Sequence, residues 1–412
     1  MKIAFFSDCY LDLTGGITTS INAQKKELER RGHTVEIFTS GYPRSDYERD
    51  QLAKQHIFIV PSCKIFGRGL TPIARRPRVI ENWILKNHQE IHDFDVFYVH
   101  YEAGCSIAGL RLGKELGIPS VQVMHGREDM GETNIIPFGL RTFVARALNL
   151  FHSWYLPHHK FVERDEYLAD SIAKARMWNI MVNHADFADI VITPSEHFKQ
   201  KLQRYGVTND IEVVPNGVYD GYFEPNLTPR VFSGNEPLRI IWHSRVSAEK
   251  RIMTLLRALA DVKGEYRLDV YGGGGDYYRA RRYVNEHHLD VVFHGNTDFR
   301  SVYHKILSSH LDVLISHNFD TFGMTLIEAE SAGVPTLFVD PDMKEIVPEG
   351  GYIFASNPSS TAIASAINEI FEHPEKIEKM SRILLEHRDE VRISCSVDKL
   401  EKIFKQLQKN KS

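Results

Sequence analysis

The stretch LDVLISHNFDTFGMTLIEAESAGVPTLFVD, residues 311–340, decides the fold. It opens with the apolar run LDVLIS, passes through a turn that contains Gly323, continues as a helix-length segment and closes on the apolar run TLFV. A short apolar run, a helix and a second apolar run predict two parallel strands joined by a right-handed crossover. The stretch therefore indicates an α/β domain with a parallel sheet.

The same alternation extends over almost the whole chain. We predict strands at 2–6, 35–39, 57–60, 96–100, 121–124, 190–193, 211–214, 239–243, 268–271, 291–294, 313–316, 336–339 and 352–354. The alternation is interrupted at 215–237, where Pro, Gly and Asn are frequent and periodicity is weak, as in a linker. Two doubly wound α/β domains joined by this linker are the economical interpretation.

The predicted domain limits follow from this linker. The first domain covers 1–220 and carries a partly helical insertion at about 127–184, which is too long for an ordinary loop. The second domain covers 221–395. A helix at about 396–412 is a candidate to pack back on the first domain.

Composition narrows the class of protein. The 412 residues carry a formal net charge of −4, with 42% hydrophobic and 25% charged residues, which excludes a globally basic nucleic-acid binder. The four cysteines form no CxxC pair, so we expect no disulfide framework or structural metal and favour a cytoplasmic location. The start MKIAFFSD is too short in apolar residues for a signal peptide, and no window is long enough for a membrane-spanning helix.

Two glycine-containing loops follow predicted strands. In CYLDLTGGITTS, Gly15 and Gly16 precede a helix whose amino end offers free N–H groups to an anion. In YGGGGDYY, at 271–278, a glycine run follows the strand at 268–271. Neither loop has the GxGxxG spacing of a dinucleotide site, so a structural turn is the better interpretation of each taken alone.

Two cations follow the strand at 239–243. Arg245 and Lys250, in WHSRVSAEKRI, come after its carboxyl end, where doubly wound sheets bind their ligands. The forked Arg guanidinium and the Lys point charge together suit a diphosphate. On spacing alone, two solvated surface cations are an equally good interpretation.

Two carboxylates flank the turn of the opening stretch. Asp320 precedes the turn, and Glu328 lies more than one turn inside the following helix. Backbone amides at 323–325 would face phosphate oxygens at the helix amino end, and a carboxylate can accept hydrogen bonds from two vicinal sugar hydroxyls. The alternative is a helix-capping aspartate and an exposed helical glutamate.

Seven motifs in a fixed order point to one family. They are GGI at 15–17, RRGHTVEIFT at 30–39, VMHG at 123–126, TPSEHFKQKL at 193–202, VVPNGV at 213–218, SRVSAEKRI at 244–252 and FDTFGMTLIEAESAGVPTLFVD at 319–340. With them, the chain resembles the retaining glycosyltransferases of family 4 over nearly its whole length. The resemblance implies the GT-B fold, two Rossmann-like domains facing across a cleft, and transfer of a hexose from a nucleotide-diphosphate sugar.

The resemblance also assigns roles to residues. The family's diphosphate clamp falls on Arg245 and Lys250, and its pair of glutamates falls on Asp320, toward the donor sugar, and Glu328, toward the ribose. Asp320 departs from the family's glutamate and is shorter by one methylene, which leaves the identity of the sugar open. His125 matches the family histidine near the sugar, so the catalytic candidates are His125, Arg245, Lys250 and Asp320. The other predicted donor-binding residues are Gly16, Phe322, Gly323, Met324 and Thr325.

The reaction implied by the resemblance needs no dedicated nucleophile. The donor, expected to be a UDP-sugar, binds largely to the second domain and the acceptor to the first. The leaving diphosphate helps to deprotonate the incoming hydroxyl on the same face, so the anomeric configuration is retained. No cofactor or metal is expected, because the DxD formed by Asp340 and Asp342 is a metal motif of a different transferase fold.

Two segments predict a membrane lipid as the acceptor. A basic run at 64–78 has no acid, and within 140–151 the residues Leu140, Val144, Ala147 and Phe151 fall on one helical face. Such a pattern favours docking on an anionic surface, here the inner face of the plasma membrane. The candidate residues are Lys64, Arg68, Arg75, Arg76, Arg78, Trp154 and Tyr155. The alternative is a solvated basic loop and a helix that covers the core.

The acceptor and even the reaction have alternatives. The run from DYERDQL to IFIVPS is similar to bacterial enzymes that glycosylate diacylglycerol, which favours that lipid or a glycolipid. A soluble, polysaccharide or protein acceptor stays open. So do two functions of another class, a GT-B epimerase of sugar nucleotides and, given Asp320 in place of glutamate, a catalytically silent partner subunit.

Overall fold

The computed structural model describes residues 1–8, 15–42, 45–63, 73–127, 129, 138–157 and 161–411. The chain divides into two compact units, Met1–Pro215 with Val397–Ser412, and Asn216–Ser396. Each unit is built on one sheet, of seven strands in the first and six in the second, and all strand pairs within these sheets are parallel. The predicted class, two doubly wound α/β domains, is confirmed.

The strand order in the main sheet of the first unit is β3-β2-β1-β6-β7-β8-β9. Its strands are β1 (Lys2–Ser7), β2 (Thr34–Thr39), β3 (Ile57–Ile59), β4 (Ser62–Cys63), β5 (Ile73–Ala74), β6 (Val96–His100), β7 (Ser120–Val123), β8 (Ile190–Thr193) and β9 (Ile211–Val213). Its helices are α1 (Gly16–Arg30), α2 (Asp46–Lys54), α3 (Pro77–Asn87), α4 (Gly104–Leu116), α5 (Arg141–Ser153), α6 (Ile172–Phe187) and α7 (Glu196–Arg204). The antiparallel pair of β4 and β5 was not predicted, because two residues are too few to show a period.

The second unit orders its sheet β12-β11-β10-β13-β14-β15. Its strands are β10 (Leu238–His243), β11 (Tyr266–Tyr271), β12 (Val291–Gly295), β13 (Leu311–Leu314), β14 (Thr336–Phe338) and β15 (Tyr352–Phe354). Its helices are α8 (Ile252–Leu259), α9 (Tyr277–His287), α10 (Phe299–Leu307), α11 (Met324–Ser331), α12 (Ser360–Glu372) and α13 (Glu375–His387), and α14 (Ile393–Lys411) begins here. Two short 3₁₀ helices also belong to this unit. Ala248–Lys250 follows β10, and Asp220–Tyr222 lies near the start of the unit.

The central strands of both sheets are buried, as expected for parallel strands covered by crossover helices. In the first unit, Phe6 on β1 lies 5.3 Å from the ring of Phe38 on β2 and 5.0 Å from that of Phe97 on β6. In the second unit, the fully buried Ile240 and Leu256 belong to one cluster that joins β10 to α8. These apolar runs are the signal from which the strands were predicted.

A buried carboxylate fixes the start of α4 in the first unit. Asp8, at the end of β1, accepts hydrogen bonds from the backbone N–H groups of Ala103, Cys105 and Ser106 at 3.2, 2.8 and 3.1 Å. The Ser106 hydroxyl donates to the same carboxylate at 2.7 Å. Burial nevertheless raises the pKa of Asp8, although these hydrogen bonds oppose it. Helix α4 therefore starts against the end of β1 with its amino-terminal N–H groups satisfied.

The segment predicted as a linker is anchored within the second unit. The Val218 N–H donates to the Val391 carbonyl at 2.8 Å, and the Ile393 N–H donates to the Val218 carbonyl at 2.8 Å. A Cβ on Gly217 would lie 2.5 Å from the Ile393 backbone, so only glycine permits this approach. Residues 216–218 are therefore paired with the segment that leads into α14.

Helix α14 begins in the second unit, and its residues from Val397 onward belong to the first. There, the Phe404 ring packs 5.3 Å from that of Tyr98 on β6, and Asp398 accepts a hydrogen bond from Arg31 at 2.6 Å. Glu401 lies 2.7 Å from His33. The C-terminal helix thus contributes both apolar and ionic contacts to the first unit.

The glycine run after β11 is a structural element. Gly272 has a φ of 125°, and a Cβ there would lie 2.2 Å from the Ser244 carbonyl oxygen. Gly274 has a φ of 155°, and its Cβ would lie 2.4 Å from the Val246 carbonyl oxygen. Side chains rarely adopt such φ values, so this run is glycine-rich because its backbone packs on the loop that holds Arg245.

We expect Gly272→Ala to lower the free energy of unfolding by about 2 kcal/mol or more, since it combines backbone strain with a steric clash. A melting-temperature decrease of about 4–8 °C in thermal unfolding would correspond to this change. Gly275→Ala is the matched control, because nothing lies within 4 Å of its Cβ position. Equal melting temperatures for the two variants would contradict the steric account.

Candidate active site

The candidate site lies where β10 and β13 end, in the second unit. The two strands are neighbours and run parallel, with Ile241 opposite Asp312, so their carboxyl ends meet at one edge of the sheet. The loop after β10 carries Arg245 and Lys250, and the loop after β13 carries Ser316 and Asp320. This is the position at which open α/β sheets bind ligands.

Lys250 and Asp320 are in direct contact. The Lys250 Nζ lies 2.5 Å from Asp320 Oδ1, and the two side chains are 11% and 13% exposed. The Ser316 hydroxyl donates to the other oxygen, Oδ2. Asp320 is therefore fixed by two partners and does not cap the following helix, as the local alternative supposed.

Arg245 lies beside the same loop but is more exposed. Its guanidinium is 6.0 Å from the Phe319 ring centre, and Lys250 Nζ is 5.3 Å from the same centre. The Arg245 side chain is 63% exposed and lies 3.1 Å from Glu249, an acid of its own loop. The structure thus places both predicted cations around one aromatic ring, with the Arg245 fork accessible to a ligand.

Helix α11 starts directly after this loop. Gly323 precedes it with a φ of 71°, and the first N–H groups of any helix, here those of Met324 and Thr325, have no partner inside it. The Thr325 hydroxyl is buried and forms no hydrogen bond with a described residue. Phe322 is buried against Val218, so only its backbone is available to a ligand.

Glu328 is buried, contrary to the alternative of an exposed helical glutamate. Its Oε2 lies 3.2 Å from His243 Nδ1, and the other ring nitrogen, Nε2, lies 3.2 Å from Asp312 Oδ1. The second contact is off the line of a hydrogen bond and is best described as an ion contact. Burial raises the pKa of Glu328, and the hydrogen bond and charge of His243 oppose that rise.

The pKa of His243 is strongly raised. Burial alone would lower its pKa, but the charges of Asp312 and Glu328 outweigh burial and raise the pKa to about 10. His243 and Asp312 were not predicted as site residues. The one available signal was Asp312, a charged residue inside an apolar strand, which needs a buried partner.

Two predicted residues lie in the first unit. His125, just after β7, is half-buried, and its Nε2 is 2.8 Å from Nδ1 of the buried His100. Burial lowers the pKa of His125 to about 4, so the ring is neutral at pH 7 and can accept or donate one hydrogen bond. Gly16 is the first residue of α1, and the loop 9–14 before it lies outside the described residues.

The residues predicted to contact a membrane differ in their exposure to solvent. Arg75, Arg76 and Arg78 are exposed around the start of α3, whereas Lys64 and Arg68 fall outside the described residues. Trp154, at the end of α5, is 69% exposed. Tyr155 is half-buried, with its ring 5.2 Å from that of Phe151, so of this aromatic pair only Trp154 projects outward.

Of the apolar face predicted for 140–151, Leu140 and Ala147 are exposed. The large exposed apolar side chains here are Leu140, Phe143, Leu150 and Trp154, at 54, 72, 55 and 69%. Their spacing of three, seven and four residues places them on one side of α5, which we call the α5 stripe. The predicted Val144 and Phe151 are half-buried instead. None of the helices in the described ranges combines the length and hydropathy that a bilayer crossing requires.

The inner side of α5 is unusually polar. Asn149 and His152 are 6% and 5% exposed, and His152 Nδ1 lies 3.1 Å from Nε2 of the fully buried His184 on α6. The Asn149 amide donates to the Arg176 carbonyl at 3.1 Å. Burial, with the neighbouring His152, lowers the pKa of His184, so the His184 ring is neutral at pH 7. The helix therefore buries two polar side chains beside Ala145 and exposes its large apolar side chains.

Asp340 and Asp342 of the DxD have local partners. Asp340 is 2% exposed, and its carboxylate accepts from the Asn318 N–H at 2.6 Å and from the Asp342 N–H at 3.2 Å. It caps the 3₁₀ helix Pro341–Glu345. These hydrogen bonds give Asp340 a structural role.

Two family models match the chain in succession. The model described as Glycosyltransferase Family 4 matches residues 14–220, and that described as Glycosyl transferases group 1 matches residues 227–384. Similar curated proteins include the alpha-monoglucosyldiacylglycerol synthases of Streptococcus pneumoniae and Acholeplasma laidlawii. The first is 24% identical, over 82% of this chain and 70% of its own length. The second is 22% identical, over 85% and 83%.

Solved structures show the same fold. The Anabaena protein HepE in complex with UDP superposes with a TM-score of 0.70 at 16% identity, covering 98% of this chain and 100% of its own. The same protein has been solved with UDP-glucose, with a TM-score of 0.67 at 16% identity and the same coverage. With both family models matched in succession, the chain belongs to the family 4, group 1 glycosyltransferases of GT-B fold.

Proposed function

We propose that this glycosyltransferase moves a hexose from a UDP-sugar to a hydroxyl group of a membrane lipid, with retention of configuration. The observation that carries the proposal is the set of side chains at the ends of β10 and β13. There, Lys250 contacts Asp320, and the buried Glu328 lies at the same sheet edge, in the helix that starts beside them. Cations, free amides and carboxylates in this arrangement suit a diphosphate, a ribose and a sugar.

UDP as the nucleotide is supported by the solved relatives. HepE, which shares the fold at 16% identity, was crystallised with UDP and with UDP-glucose. In this chain we assign the diphosphate to Arg245, Lys250 and the amino end of α11. We assign the ribose to Glu328 and the sugar to Asp320.

The proposed reaction breaks the bond between the anomeric carbon and the diphosphate oxygen. The acceptor oxygen forms the new bond on the same face, and its proton passes to the departing diphosphate. Negative charge develops on that diphosphate, so Arg245, Lys250 and the helix amides lower the barrier by neutralising it. The neutral His125 is assigned to hydrogen bonding with the sugar. We propose that no metal takes part.

A lipid acceptor is supported by the relatives and by the α5 stripe. The two similar synthases are named for glucosylation of diacylglycerol. The stripe exposes Phe143 and Trp154 beside the exposed Arg146, and Arg75, Arg76 and Arg78 are exposed in the same unit. Apolar side chains with neighbouring cations favour binding at an anionic bilayer surface. We propose that the protein acts there, on the cytoplasmic face.

The function is tested by following nucleotide release from UDP-, GDP- and ADP-hexoses, with and without diacylglycerol vesicles. We expect release from a UDP-hexose that needs the vesicles, is unchanged by EDTA, and gives an α-linked product from an α-linked donor. Conversion of the donor into an epimeric sugar nucleotide, without an acceptor, would instead indicate an epimerase. A soluble acceptor that replaces the lipid would remove the membrane part of the proposal. Failure to bind or turn over every donor would indicate a silent subunit.

We expect Glu328→Gln to weaken UDP binding about tenfold or more, since a charged acceptor of ribose hydrogen bonds is lost. Asp320→Asn should leave the affinity for free UDP nearly unchanged and lower turnover of the UDP-sugar. Calorimetry with UDP and steady-state kinetics measure the two effects.

Glu330→Gln is the matched control for the ribose assignment. Glu330 is a second buried acid of α11, and burial with the nearby Glu390 raises its pKa to about 8. It belongs to no proposed contact, so its variant should bind UDP as the wild type does. Equal losses of affinity in Glu328→Gln and Glu330→Gln would contradict the assignment.

We expect Phe143→Ser, Leu150→Ser and Trp154→Ser together to weaken binding to anionic vesicles at least about tenfold, at low and high salt. Reversal of Arg75, Arg76 and Arg78 to glutamate should weaken binding mainly at low salt, because salt screens those charges. Cosedimentation measures both. Tyr278→Ser, which removes an aromatic ring 81% exposed in the second unit, is the control. Unchanged binding of the triple variant would exclude the α5 stripe as the docking surface.

A further inference from the structure

The contact of His243 with two carboxylates constrains its protonation. Nδ1 faces Glu328 Oε2 and Nε2 faces Asp312 Oδ1, both at 3.2 Å. A neutral imidazole carries one N–H, so one of these contacts would set a nitrogen lone pair against a carboxylate oxygen. With both carboxylates ionised, the two contacts are attractive only for the imidazolium. The three side chains are at most 8% exposed, so water screens them little.

Asp312 completes this arrangement from the interior of the sheet. It is 0% exposed, and its Oδ2 accepts a hydrogen bond from the Thr336 hydroxyl at 3.1 Å. A buried carboxylate of this kind needs a cation, and His243 is the cation that the described residues supply. Asp312 therefore holds His243 charged, and His243 faces Glu328 with its other nitrogen.

Glu328 retains one unused oxygen. Its Oε2 is occupied by His243, whereas Oε1 has no hydrogen bond or ion pair with any described residue and is not among the buried atoms that lack a partner. An ionised carboxylate can accept hydrogen bonds from two hydroxyls, but a protonated one loses part of this capacity. The protonation state of Glu328 thus determines how well its carboxyl group can bind a ribose.

We propose that His243 is a positioning residue for nucleotide binding: as a cation fixed by Asp312, it keeps Glu328 ionised and holds its second oxygen free for the ribose hydroxyls. This inference rests on the proposed function, through the assignment of Glu328 to the ribose. No contact between His243 and the nucleotide is required.

The other titratable groups around the pair do not compete for this role. Tyr222 and Tyr303 interact electrostatically with Glu328. Burial raises the pKa values of both phenols, so they stay neutral at physiological pH. Tyr271 lies opposite His243 on β11, and burial and the charge of Asp269 likewise raise the pKa of Tyr271. These tyrosines therefore add no charge near neutrality to the contact between His243 and the two carboxylates.

The sign of the pH effect follows from the shifts. The pKa of His243 is raised to about 10 from 6.5, so its stabilising charge is fully present below about 6.5 and is lost as the pH rises toward 10. Burial raises the pKa of Glu328 and His243 lowers it. Removal of the cation therefore moves protonation of Glu328 to higher pH.

The test measures UDP affinity by calorimetry from pH 5.5 to 9 for the wild type and for His243→Asn, whose amide can replace Nδ1–H without its charge. We expect His243→Asn to bind UDP about tenfold more weakly than the wild type near neutrality. The pH below which affinity is lost should be higher in this variant by about one pH unit or more. Titration of UDP itself is common to both proteins and cancels. His294→Asn is the matched control, because His294 lies 2.7 Å from another buried acid of the sheet, Asp269.

Three outcomes separate the claims. An upward shift in His243→Asn and none in His294→Asn supports the inference. Normal UDP binding by the wild type with an unshifted pH profile in His243→Asn overturns the inference and leaves the proposed function intact. Absence of UDP binding by the wild type overturns the nucleotide assignment, and the role of His243 falls with it.

A measurement on the wild type covers the case in which His243→Asn fails to fold. In ¹⁵N NMR spectra of histidine-labelled protein, one imidazolium that stays charged above about pH 8.5 is expected, since an ordinary histidine is neutral there. Complete neutralisation of all histidines by that pH would overturn the inference without any variant.

Discussion

A charge inside the second sheet imposes the constraint on which the candidate site depends. Asp312 lies on β13 with no exposure to solvent, and an isolated ion in such a place would cost far more than the folded state can tolerate. His243, from the end of the adjacent strand, supplies the opposite charge and also reaches Glu328 on α11. One ionic group therefore joins two strands and the helix that follows them, and it sets where the helix begins relative to the strand ends.

Buried acids elsewhere in the chain follow the same rule with other partners. Asp269 on β11 is 1% exposed and contacts His294 and Lys305, each at 2.7 Å. The hydrogen bonds of these partners keep the pKa of Asp269 low against the effect of burial. In the first unit, Asp8 uses the amide groups of α4 instead of a side-chain cation. In that case burial dominates, and the pKa is raised.

Much of the fold could be predicted from sequence because buried parallel strands are apolar along their whole length. Of the site, the two cations and two acids were available from motif resemblance, and the structure brings Lys250 to Asp320. His243 and Asp312 could not be paired from sequence, since their contact depends on the register of β10 against β13. The apolar face at 140–151 was predicted only in part for a different reason. The helical period groups residues by face but does not show which face is buried, and α5 turns Asn149 and His152 inward.

The proposed docking of the α5 stripe on a bilayer would have a kinetic consequence. A diacylglycerol acceptor is confined to a bilayer, and a catalyst in bulk water meets it only during brief collisions. A protein held at the surface by Phe143 and Trp154 would search in two dimensions, at an effective acceptor concentration set by lipid density instead of by total lipid. Turnover would then follow the mole fraction of acceptor in the membrane, and dilution of vesicles at constant composition would scarcely change it.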